Sequence, residues 1–135
     1  MRYLKLFESF RQPTQITIEE VKRKLNNFGT ENFSETEKKF FMEILKDSEN
    51  KRIVDDWLYK PTQMWMSILS LNSDRPEEIF IEKLGDNWYI ITQILSLYDE
   101  DDLPGDPQYK YYEVDEWEEV LGFLSRNTLL ELPTS

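Results

Sequence analysis

MWMSILSL, Met64 to Leu71, is where the chain changes its period. Upstream, apolar residues recur every three or four positions. Here six of eight residues are apolar and only two serines interrupt them, as in a strand buried on both faces. Three further strands follow. EIFIEKL (Glu78 to Leu84) comes after the turn SDRPEE. GDN, Gly85 to Asn87, is a hairpin signal. NWYIITQILSLY (Asn87 to Tyr98) is rich in β-branched and aromatic residues, which favour a pleated sheet. After the acidic loop DEDDLPGDPQ (Asp99 to Gln108), YKYYEV, Tyr109 to Val114, is the fourth strand.

On either side of this meander the period is helical. Downstream, Asp115 reads as a helix cap with Glu118 at the third helical position. Trp117, Val120, Leu121 and Leu124 stand at i, i+3, i+4 and i+7, Asn127 ends the helix, and TLLELPTS is a tail that docks or frays. Upstream, Thr17 with Glu20 and Ser34 with Glu37 are capping boxes. The first precedes the stripe Ile18, Val21, Leu25, Phe28 and its stop, Gly29. The second precedes Phe40, Phe41, Ile44 and Leu45. Ile53, Val54, Trp57 and Leu58 predict a third helical segment over residues 50–59, stopped by Pro61. MRYLKLFESF, Met1 to Phe10, predicts a short helix with Leu4 and Phe7 on one face, ended by Pro13. Lys22, Arg23 and Lys24 are placed on an outer helix face, too few for a binding patch.

The expected fold is α+β: N-terminal helices packed on a four-stranded antiparallel meander, followed by a C-terminal helix. At 135 residues the chain is expected to be one domain. Within it, 1–60 is a helical half, 61–114 the sheet, 115–127 a helix and 128–135 a tail. Four tryptophans, seven tyrosines and eight phenylalanines supply a core despite 32% charged residues.

The chain has no cysteine and no histidine. Disulfides, ordinary zinc sites, thiol nucleophiles and Ser-His-Asp or Cys-His arrangements are therefore excluded. No run of 18 apolar residues occurs, so no membrane span is expected. No GxxxxGK[ST], GxGxxG or HExxH motif is present. The net charge of −11 is lopsided: residues 1–60 hold 12 basic and 11 acidic residues, residues 61–135 hold 4 and 16. Such a block repels nucleic acid and anionic membranes and attracts basic partners. The partner-binding candidates are Asp99, Glu100, Asp101, Asp102, Asp106, Glu113, Glu116 and Glu119. The acidic loop fails the calcium-loop pattern, because counting from Asp99 the sixth position is Pro104 where glycine is required. No metal, cofactor or catalytic set is expected. With 27 acids, chance pairs are many and no spacing marks a hydrolase pair.

Two stretches carry a resemblance. The opening MRYLKLFESF resembles the start of small uncharacterised proteins of tailed bacteriophages, which begin Met, a basic residue, then Leu-Lys-Leu-Phe-Glu. NWYII, Asn87 to Ile91, with YYEVDEWEEVLGFL, Tyr111 to Leu124, is similar to a strand, strand, capped-helix ending of the same group. That ending often has Cys-Asp-Gln where this chain has Val114, Asp115 and Glu116. The group brings no assigned activity. The opening also resembles the capsid-targeting segments of internal head proteins of T-even-like phages, with Leu6 and Glu8 fitting the cleavage rule and Glu8-Ser9 as the scissile bond. The expected function is a non-enzymatic phage accessory protein in the host cytoplasm. It would bind a basic protein partner, for example a host nucleic-acid-binding protein, through its acidic C-terminal half. The alternatives are a virion-internal protein with an N-terminal capsid-targeting segment and a carboxylate-based hydrolase.

Overall fold

A computed structural model describes residues 13–69, 76–95 and 105–132. The N-terminal segment with Leu4, Leu6, Phe7, Glu8 and Ser9, and the acidic loop residues Asp99 to Asp102, lie outside these residues. The strands are β1 (Thr14–Ile16), β2 (Val54–Lys60), β3 (Gln63–Leu69), β4 (Pro76–Lys83), β5 (Tyr89–Leu95) and β6 (Gln108–Val114). The helices are α1 (Ile18–Phe28), α2 (Glu35–Lys46) and α3 (Trp117–Asn127). The fold is α+β. All six strands form one antiparallel sheet in the order β1-β6-β5-β4-β3-β2.

The four expected strands are present as β3 to β6, and the sheet has two more. Residues 54–60, read above as helix, form β2. Val54, Trp57 and Leu58 satisfy a helical spacing, but they are also β-branched or large. Pro61 and Thr62 link Lys60 directly to its partner Gln63, so pairing with β3 wins. The other addition, β1, pairs with the last strand, Thr14 opposite Glu113 and Ile16 opposite Tyr111. Its three residues carry no readable period.

The main core lies on one face. Met64, Met66 and Ile68 of β3, Ile79 and Ile81 of β4, and Tyr89 and Ile91 of β5 point to it. They meet Phe41, Ile44 and Leu45 of α2 and Val120, Leu121, Phe123 and Leu124 of α3. The opposite face is covered at the β1 side by α1, where Val21 and Leu25 pack with Ile16, Leu84, Ile90, Trp88 and Tyr111. Both predicted capping boxes form: Thr17 with Glu20, and Ser34 with Glu37. The C-terminal helix begins one residue later than the Asp115 cap implied. Its N-cap is Glu116, with extended backbone and no side-chain cap bond.

Two local features hold the ends together. The β4–β5 turn passes through Asp86 and Asn87 at φ 60° and 61°, a left-handed pair that Asp and Asn tolerate. A Cβ on Gly85 would stand 2.5 Å from the Phe28 carbonyl oxygen, so only glycine lets the turn meet the end of α1. At the other end of α2, the wholly buried Asn50 donates to the Ile44 and Glu131 carbonyls at 2.9 and 2.8 Å. Its Oδ1 accepts from the Glu131 amide at 2.7 Å. This clamp docks the C-terminal segment and buries Leu130 and Leu132 in the main core.

Gly85→Ala is expected to lower stability by about 1–3 kcal/mol, read from urea unfolding, because the Phe28 backbone has to move. Asn50→Ala is expected to leave the sheet intact while the Glu131 amide loses its hydrogen-exchange protection. Unchanged protection at Glu131 would show that Leu130 and Leu132 hold the segment without the clamp.

Candidate functional site

Among the described residues, the carboxylates expected to bind a partner do not share one surface. Of the four that are described, Asp106 is exposed before β6, at the far end of that strand from Glu116. Seven residues of β6 separate those ends by about 20 Å. Glu113 is half-buried and its carboxylate meets Lys24 Nζ at 2.7 Å. Glu119 is 4% exposed. Only Asp106 and Glu116 of these four are open to solvent.

A different grouping emerges at the β4–β5 turn. α2 and α3 both begin there. Glu37, in the first turn of α2, reaches Lys83 and Tyr89, and α3 follows directly from the end of β6, where Val114 pairs with Tyr89. Asp and Glu are favoured at helix starts because their charge complements the unsatisfied amides. Two helix starts on one end of the sheet therefore gather acids from distant parts of the chain. Glu31 and Glu35 arrive with α2, Asp86 with the turn, and Asp115, Glu116 and Glu118 with α3. All six are exposed. Of these six, only Glu116 is among the residues expected from the sequence to bind a partner; Glu31, Glu35 and Asp86 lie 29 or more residues before Asp115. The acids around the helix starts were the available signal, but their convergence depends on topology.

Beside this end is a cleft of about 60 Å³ lined by Thr14, Trp88, Glu113, Val114, Asp115 and Glu119. Lys24 shows the chemistry of its wall. Its ammonium lies 4.3 Å from the Trp88 ring centroid as well as against Glu113. Lys24 thus belongs to the inward side of α1, three residues after buried Val21, and not to the outer face expected for it.

Under the acidic end lies a buried polar cluster. Lys83 Nζ donates to Glu37 Oε1 at 2.8 Å, the two side chains being 7% and 6% exposed, and the Tyr89 hydroxyl donates to Glu37 Oε2. The Ser34 amide donates to Glu37 Oε1 at 2.8 Å. Burial pushes the Glu37 carboxyl up, but the bonds from Lys83, Tyr89 and Ser34 and the Lys83 charge outweigh it. The net effect is a lowered pKa. Burial and the Glu37 carboxylate push the Tyr89 hydroxyl far up, so it stays a donor. Glu82, on the opposite sheet face, is raised by burial alone. The cluster is closed by Trp117, whose ring meets Phe41 edge-on at 5.2 Å and Tyr89 at 5.7 Å.

Among the described residues no group of three or more carboxylates is placed to hold a metal ion, and no helix is long and apolar enough to cross a membrane. No protein-family model, curated protein or solved structure matches the chain.

A lowered carboxyl pKa stabilises the fold above the unfolded value and is lost as pH falls through the folded one. Lys83→Met is expected to destabilise the protein by about 3–5 kcal/mol at pH 7, because Glu37 is left buried without its cation. The gap should narrow as pH falls through the carboxylate range, first as the unpaired Glu37 of the variant takes up a proton and then, lower still, as the Glu37 of the wild type does and the ion pair is lost. Urea unfolding across pH measures both. A gap that stays constant with pH would mean that Lys83 acts by packing alone.

Proposed function

We propose that the protein is a non-enzymatic interaction protein that docks a basic protein partner on the acidic end of its sheet. The observation that carries this reading is the convergence of Glu31, Glu35, Asp86, Asp115, Glu116 and Glu118, all exposed, around the two helix starts. The adjoining cleft adds Asp115 at its rim, while its inner groups are already engaged, Lys24 lying against both Trp88 and Glu113. A binding role also fits the polar core. Glu37, Lys83 and Tyr89 are spent on one another beneath Trp117. The resemblance of the opening and of the strand–helix ending to tailed-phage proteins supports an accessory role in the host cytoplasm. Of the eight candidates read from the sequence, Glu116 belongs to this docking surface, while Asp106 stands at the other end of β6.

The test uses decalysine as the probe, with binding followed by calorimetry at low salt. Asp86→Asn, Asp115→Asn, Glu116→Gln and Glu118→Gln together should weaken binding roughly tenfold or more. Neutralising Glu19, Glu43, Glu49 and Glu131, which are exposed elsewhere, removes the same charge and should change binding by less than about twofold. Equal losses in the two variants would reduce the interaction to net charge and remove the acidic end as a site.

A further inference from the structure

We propose that β2 is a self-pairing edge, through which two copies of the chain join their sheets into one twelve-stranded antiparallel sheet. This surface is separate from the acidic end and does not rest on the reading above.

At one edge of the sheet β1 is only three residues long. At the other edge β2 has seven and, among the described residues, pairs with β3 alone. Its outer side is open, with Trp57 44% and Leu58 51% exposed. The Trp57 amide donates to the neighbouring Asp56 Oδ1 at 2.8 Å. A strand amide satisfied by a side chain in this way is not in the β3 ladder, so it faces the open edge. By the alternation of an antiparallel strand, the Tyr59 amide faces the same way. The usable window has sharp ends. The register with β3 slips between Val54 and Asp56, which marks a bulge at Asp55, and Pro61 has no amide to donate. Asp56 to Lys60 remain.

These five residues are self-complementary. Two antiparallel copies related by a twofold axis normal to the sheet keep each residue opposite one on the same face. With the axis through Leu58, Leu58 faces Leu58 of the second copy, Trp57 faces the second copy's Tyr59, and Asp56 faces the second copy's Lys60. The outward amides of Trp57 and Tyr59 then meet each other's carbonyls. Trp57 exchanges its bond to Asp56 for one to the second copy, which releases the Asp56 carboxylate to pair with Lys60. An aromatic pair and an opposite-charge pair occur twice by symmetry, each the kind of cross-strand contact that stabilises a sheet. Moving the axis to Trp57 would set Asp56 against Leu58 and Lys60 against Val54, with no charge partner for either. The charges that protect this edge from other strands thus admit one register of its own copy.

Sedimentation velocity over low-micromolar to submillimolar concentrations tests the pairing. The wild type should move from the monomer mass of 16.4 kDa to twice that value. Lys60→Asp and Asp56→Lys each place like charges opposite one another twice. Each should raise the dissociation constant roughly tenfold or more, with circular dichroism unchanged. The double exchange Asp56→Lys with Lys60→Asp should restore association. Leu58→Lys, on the axis, should give monomer alone. A wild type that stays at 16.4 kDa throughout overturns the proposal. So does a dimer indifferent to both single exchanges, or one that the double exchange fails to restore.

Discussion

The alternation of β4 carries Lys83 to the same sheet face as Ile79 and Ile81, so its charge has to be cancelled inside the protein. An uncompensated ammonium there would be prohibitive. Glu37 supplies the cancelling charge from the first turn of α2, and the same carboxylate also closes the capping box of that helix. One side chain therefore ties the start of a helix, the end of β4 and the start of β5 to a single point. The position of α2 over the sheet, the packing of Trp117 against Tyr89, and the convergence of two helix starts follow from that anchor.

The acidic end follows from the same arrangement. Helix starts select acids for local reasons, and the topology then sums those choices at one place. Its carboxylates are exposed because the inward-facing first-turn positions are already occupied, Glu37 in α2 and Glu119 in α3. The part of the negative charge that forms one surface is thus a consequence of how the fold is held, whereas Asp106, from the same acidic run of sequence, ends up remote from it.

Much of this was legible in the sequence where the cause was local. Thr17 with Glu20 and Ser34 with Glu37 were readable as caps because their bonds span three residues. The strands β3 to β6 were readable because buried β-branched and aromatic runs have few other outcomes. β2 was misread because Val54, Trp57 and Leu58 satisfy two periods at once and the deciding partner, β3, lies beyond the turn. Lys24 was misplaced because a cation looks like a surface residue until an aromatic ring and a carboxylate from another element are set against it. The buried half of Glu37's role was hidden for the same reason: nothing near Glu37 announces a lysine 46 positions later. The candidate site was legible as charge and illegible as place.

The pairing of β1 with β6 bears on the order in which the chain can fold. Thr14 must wait for Glu113, and Asn50 for Glu131, 81 residues further on. A chain emerging from the ribosome can build α1, α2 and the β2–β3 hairpin early. It can neither cover its first strand nor seat its last apolar residues until synthesis has passed both partners. Closure of such distant contacts is slow relative to helix formation. Until then α1 has no β6 beneath it and α2 has no α3 beside it, so the apolar sides of the early elements depend on the late ones for their shelter.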